Sequence, residues 1–245
     1  MSNNATLTLR YAARTDVGLR RQRNEDSVYA GPRLLAVADG MGGHSHGEVA
    51  SATVIAALSV LDGDPPGSDV LGALGATIAE ADRRLRDMAD RDPKLTGMGT
   101  TLTAMLWDGR RFALAHIGDS RGYMLRDGYL YQITRDHTLV QSLVDDGQMT
   151  AEQAAAHPRR SLLMRALGGS GSVEPDLSMR DAYAGDRYLI CSDGLSGVVG
   201  AGVLHETLSA GDDLGVTAQR LIDLAKEGGG PDNISCVVAE VMAGA

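Results

Sequence analysis

The sequence predicts an α+β domain in which helix pairs cover antiparallel sheets, and three observations lead there. Asp-Gly dipeptides lie between apolar runs at Asp108-Gly109 and Asp127-Gly128, marking tight hairpins that join antiparallel strands, because parallel strands need long crossovers. The helix-like segments come in blocks of two instead of following every strand, which argues against a doubly wound sheet. No Pro/Ser-rich linker divides the chain, so residues 1–245 are read as one domain.

Taken in order, strands are expected at 6–14, 26–31, 33–38, 100–107, 111–118, 121–126, 129–134, 176–183, 187–192 and 234–241. Each is short, rich in β-branched or apolar residues, and bounded by Gly, Asp or Pro. A first helix runs from 47 to about 61, and DGDPPGSD (62–69) breaks it from a second that ends near 91–93. In the second, Leu71, Leu74, Ile78, Ala81, Leu85 and Met88 recur at steps of three and four, an apolar stripe that faces a core. Thr150 and Gln153 form a capping-box pattern opening a short helix, TAEQAAAH. A last helix, about 214–226, stops at Gly228-Gly229-Gly230-Pro231.

Bulk properties exclude several functions. A chain of 245 residues with 43% hydrophobic and 22% charged residues is ordinary for a globular protein that buries a core without disulfides. A net charge of −9 argues against nucleic-acid backbones and anionic membrane surfaces. Any phosphate handled here needs a local positive site, from arginines or metal ions. Cys191 and Cys236 lie in strand-like runs and read as reduced packing residues. MSNNATLTLR has no apolar signal core, and VASATVIAALSVL is too short and polar to span a bilayer. A cytoplasmic monomer without direct membrane contact is expected.

Six Asp-Gly dipeptides occur, at 39, 62, 108, 127, 146 and 193. Those at 108 and 127 are hairpin turns, and those at 62 and 146 follow helix-like segments where turn or cap duty suffices. Asp39 and Asp193 end strands, but a loop leading into a helix follows, which a turn does not explain. Asp119 and Asp232 share that placement at a strand edge. Four carboxylates so placed, beside Gly or small polar residues, suit hard divalent cations, which take oxygen ligands and need close backbone approach. His44 and His46 form an H-x-H pair with no Cys or His cluster to complete a zinc set. The run Arg20-Arg21-Gln22-Arg23-Asn24-Glu25-Asp26 reads either as a solvated charged turn or as a guanidinium grip on a phosphoryl group.

R-x-x-N-E-D at 21–26, V-A-D-G-M-G-G-H at 37–44, G-M-G-T-T at 97–101, I-G-D-S-R at 117–121, C-S-D-G-L-S at 191–196 and G-G-P-D-N at 229–233 follow one another along the chain. Together they resemble the ordered motifs of the metal-dependent serine/threonine protein phosphatases of type 2C, over almost the whole sequence. Within that family the likeness is greatest to the actinobacterial enzymes that oppose receptor-like kinases.

The resemblance implies a four-layer αββα sandwich with two or three Mn²⁺ or Mg²⁺ ions in a channel at one edge. It implies Asp39 as a bridging ligand, Asp193 and Asp232 on the first ion, the Gly40 carbonyl on the second, and Asp119, Asp193 and the Ser161 backbone on a third. Arg21 would hold the substrate phosphate, with Glu25 and Asp26 orienting ligands or bound water. Hydrolysis of phosphoserine and phosphothreonine on phosphorylated proteins, by attack of a metal-bridging hydroxide, is the implied reaction. Eukaryotic relatives carry a His after the Asp-Gly where this chain has Met41, so His44 or a metal-bound water is left to protonate the leaving group. Residues 137–165 match the family's flap, a lid expected to select substrates. Two rivals remain at this level: a hydrolase of small phosphoesters, and an inactive phosphoprotein-binding module.

Overall fold

The computed structural model describes residues 7–42, 46–63, 69–169, 171 and 173–244. From the N-terminal side its elements are β1 (Leu7–Asp16), β2 (Asp26–Ala30), β3 (Leu34–Met41), α1 (Gly47–Ser59) and α2 (Val70–Arg91). There follow β4 (Gly99–Thr100), β5 (Leu102–Trp107), β6 (Arg111–Ile117), β7 (Arg121–Arg126), β8 (Tyr129–Gln132), α3 (Leu139–Asp145) and α4 (Ala151–Ala155). The remainder comprises β9 (Asp176–Asp181), β10 (Arg187–Cys191), α5 (Asp193–Ser196), α6 (Ala201–Ser209), α7 (Leu214–Glu227) and β11 (Ile234–Ala243).

The strands form two antiparallel sheets, as the hairpin dipeptides predict. One has the order β1-β11-β10-β7-β8 and the other β2-β3-β5-β6-β9, with β4 paired to β3. Asp127 and Gly128 both take positive φ, 52° and 78°, in the β7–β8 turn, the backbone that a two-residue hairpin with the native strand twist requires. Asp62 has a fuller role than a turn: its carboxylate accepts from the Tyr29 hydroxyl (3.0 Å) and from the backbone N–H of Arg33 and Leu34 (2.8 and 2.9 Å).

Three apolar clusters divide the molecule into four layers. Leu35, Val37, Met105, Phe112, Tyr188 and Val237 pack between the sheets. Leu34, Ala36 and Ala38 point the other way, onto Val54 and Leu58 of α1 and Leu74, Ile78 and Leu85 of α2. Leu189, Val238 and Cys236 meet Leu204 of α6 and Leu221 of α7 behind the other sheet. The apolar stripe of α2 is therefore core, and β3 is apolar on both faces because both are covered. Cys191 and Cys236 are free and buried. No helix among the described residues is long and apolar enough to cross a membrane.

Most strand boundaries shift by a residue or two from the sequence expectation, and two of the differences matter for function. The strand expected at 33–38 continues to Met41, so Asp39 lies inside it, opposite Asp26. The strand expected at 100–107 is interrupted at Thr101, where Gly99–Thr100 pairs with β3 while Leu102 onward pairs with β6. Helices α3 and α6 lie in stretches whose periodicity is too short to delimit them, and Gly200 gives α6 no side-chain cap.

Candidate metal centre

The C-terminal ends of β3, β6 and β10 and the start of β11 converge on a cavity of about 360 Å³. Arg21, Asp39, Gly40, Asp119, Ser161, Asp193 and Asp232 all line it, with Glu25, Met41 and Thr101 beside them. Each expected site residue except His44 is thus in one place; His44 lies outside the described residues. The four carboxylates come from positions 39, 119, 193 and 232, so only the fold brings them together.

Local structure explains how each is held. The Asp39 backbone is pinned from the G-M-G-T-T segment: its N–H donates to Thr101 Oγ1 (3.0 Å), and its carbonyl accepts from the Thr101 N–H and Thr100 Oγ1 (both 2.9 Å). Asp193 opens α5, and Asp119 sits in the turn between β6 and β7. Asn233, next to Asp232, accepts from the Glu25 N–H (2.9 Å) and donates to the carbonyls of Val17 (3.0 Å) and Arg23 (2.8 Å), tying the arginine-rich loop to β11. A Cβ at Gly40 would stand 2.2 Å from the Gly47 carbonyl oxygen, and one at Gly194 1.9 Å from that of Asn233. Both glycines are there for close backbone approach.

Thr100, Thr101, Ser192, Asn233 and Arg121 stand within the sequence motifs, which by themselves assign these residues no task. Arg121 binds Asp136 through two nitrogens, Nε to Oδ1 (3.0 Å) and Nη2 to Oδ2 (2.7 Å), fixing the turn that carries Asp119 to the segment that precedes α3. Ser192 Oγ donates to Asp26 Oδ2 at 2.8 Å. The available signal was a polar residue in an otherwise apolar strand end, which needs a buried partner.

The electrostatics are those of crowded acids. Burial pushes Asp39 well above the carboxylate range, helped by Asp26, Asp193 and Asp119. Burial and Asp193 push Asp119 up to about 7, and burial pushes Asp26 up to about 6 despite its serine hydrogen bonds. Asp193 is raised by burial and Asp232, and it shares a hydrogen bond with Asp39. Two described arginines temper this charge: Arg21, whose Nη2 lies 2.7 Å from Asp232 Oδ2 and whose pKa that contact raises, and Arg121, which favours the charged forms of Asp119 and Asp193.

Among the described residues no three His, Cys, Asp or Glu side chains are preassembled around one point as a metal site. The donor chemistry nonetheless fits hard divalent cations: carboxylate oxygens, backbone carbonyls, and a buried Asp26 Oδ1 with no hydrogen-bond partner. Cations would relieve the mutual repulsion that raises the acids, and Asp39, Asp119, Asp193 and Asp232 could hold them.

An αββα sandwich with a cluster of acids where its two sheets end is the class that the fold and site define. The chain belongs to the protein phosphatase 2C family, whose pattern matches residues 15–142. It is 59% identical to the serine/threonine protein phosphatase PstP of Mycobacterium tuberculosis, over 97% of this chain and 46% of that protein. It therefore spans about half the length of that relative. The serine/threonine phosphatase stp of Listeria monocytogenes is 38% identical, over 93% of this chain and 94% of that protein. A crystal structure of the M. tuberculosis phosphatase superposes with a TM-score of 0.92 at 58% identity, covering 95% of this chain and 98% of that one. The PstP catalytic domain in complex with two manganese ions matches with a TM-score of 0.91 at 57% identity, covering 97% of this chain and all of the other.

Proposed function

We propose that this chain is a metal-dependent protein serine/threonine phosphatase that hydrolyses phosphoserine and phosphothreonine esters. The observation that carries the reading is the convergence of Asp39, Asp119, Asp193 and Asp232, from four separate segments, on one cavity that also holds Arg21. Its likeness over nearly the full chain to the Listeria phosphatase supports it.

Asp39, Asp193, Asp232 and the Gly40 carbonyl would hold two Mn²⁺ or Mg²⁺ ions, with Asp119 and the Ser161 backbone available to a third. When bound, such ions lower the pKa of water and offset charge on phosphoryl oxygens. The chain's own groups do the rest. Arg21, a guanidinium lining the cavity beside Asp232, would take two phosphoryl oxygens. Glu25, at the cavity wall, would orient water, and Asp26, buried opposite Asp39, would orient the ligands. The P–O bond to the seryl or threonyl oxygen breaks as water adds, giving the free hydroxyl and inorganic phosphate. Since Met41 has no proton to give, either His44 or a water would protonate that oxygen.

The phosphatase is further read as a single-domain, cytoplasmic, monomeric signalling enzyme, with residues 137–165 as its substrate-selecting flap. Phosphorylated Ser/Thr kinases and their targets are the expected partners, and nucleic acids are not. With Mn²⁺ supplied, phosphate release from a phosphothreonine peptide should exceed that from sugar phosphates and nucleotides, and Asp39→Ala should abolish it. Absence of Mn²⁺-dependent release would refute the reading and favour an inactive binding module.

A further inference from the structure

A second cavity, about 740 Å³, opens beside the first and shares Met41 and Leu163 with it. Its volume falls among those of clefts that take organic ligands, roughly 300–1,000 Å³. Its apolar lining includes Met41, Ala89, Met98, Leu163, Met164 and Leu167. Met98 and Leu167 are buried at its base, while Met164 is 58% exposed at its mouth.

The groove is built into the fold. Asp82 of α2, 1% exposed, accepts the Gly168 N–H at 2.9 Å and pairs with Arg86, which in turn donates to the Gly171 carbonyl at 2.9 Å. Thr100 and Leu167 exchange two backbone hydrogen bonds (3.0 and 2.9 Å), and Thr100 Oγ1 holds the Asp39 carbonyl. One wall of the groove is thus fastened to the strand that carries Asp39.

Its cationic lining groups are already matched. Arg86 is paired with Asp82, and Arg165 Nη1 lies 2.8 Å from Asp176 Oδ1. What the groove offers is a mixed surface, somewhat more apolar than polar, with one exposed acid, Asp90, on a chain of net charge −9. That combination accepts an apolar side chain and disfavours an acidic one. The methionines, unbranched and polarizable, can fit several apolar shapes.

We infer that this groove is a specificity site, binding an apolar side chain of the substrate polypeptide close to the phosphorylated residue. The inference rests on the phosphatase reading above. Continuity with the phosphoryl cavity through Met41 and Leu163 fixes the occupant as part of the same substrate. An extended peptide advances about 3.3 Å per residue, so a side chain one to three positions away reaches it.

The test walks a single Leu from three residues before to three after phosphothreonine in an otherwise Ala/Lys peptide, with Mn²⁺ present. At one or two positions Leu should raise kcat/KM by about tenfold, within what a pocket gains from a few buried methylenes. Ala89→Arg and Thr96→Arg, both at positions lining the groove outside residues 137–165, crowd it and should each erase that increment. Turnover of p-nitrophenyl phosphate and of the Leu-free peptide should stay unchanged. Equal kcat/KM at every Leu position, or an increment that survives in both variants, overturns the inference. Loss of all Mn²⁺-dependent turnover in the unsubstituted protein would instead sink the phosphatase reading, and this one with it.

Discussion

Asp119 shows what it costs a single residue to belong to this site. At 9% exposure and beside Asp193, its carboxyl is pushed up to about 7, against about 3.9 for a free Asp. A raised acid contributes stability below the unfolded pKa and loses it as pH rises through the folded one. In chelator-treated protein the loss should therefore fall between about pH 4 and 7. Asp119→Asn removes the titration, so urea unfolding should show the variant more stable at pH 8, by on the order of a few kcal/mol, with little difference at pH 4. Asp39 and Asp193 stand out in the sequence because sorting the Asp-Gly dipeptides separates strand-end acids from hairpin acids, and Asp119 because it shares their placement at a strand edge. The Arg21–Asp232 contact was not: 211 residues separate the partners, and nothing local to either marks the other.

Among the elements, the stretch between His137 and Arg165 differs most from its surroundings. Thr138 caps α3, and Thr150 and Gln153 form the reciprocal capping box at α4 that the sequence predicts. Within α3 and α4, Val140 and Ala154 are the buried residues, so these helices depend on their caps more than α2 does. Thr150→Ala should cost about 1 kcal/mol locally. Hydrogen exchange read by mass spectrometry should then speed up about fivefold in α4 while β10 and β11 keep their protection. The caps were legible because Thr and Gln act on neighbours three residues away. Boundaries set by partners in another sheet, such as the break at Thr101, were not.

For the whole molecule, stability is concentrated between the sheets. Trp107, Phe112 and Tyr188 form a contiguous aromatic group, with ring centroids 4.7 and 4.9 Å apart, and Phe112 is fully buried. Phe112→Ala should cost roughly 3–5 kcal/mol and lower Tm by roughly 10 °C in a calorimetric scan, given a domain of this size. The layered class was legible from hairpins and paired helices. Strand order was not, because β1 pairs with β11 and β10 with β7, and no pattern within a strand names a distant neighbour.

The β1–β11 ladder has a mechanical consequence. It runs in register from Leu7↔Ala243 to Asp16↔Ile234, so a force separating residues 7 and 243 loads the hydrogen bonds one pair at a time and peels the edge strand like a zipper. A force applied between residues 16 and 243 would load all ten pairs in shear and meet far greater resistance. Because Asp16 leads through the arginine loop to Glu25 and Asp39, peeling from the 7/243 end reaches the acid cluster last.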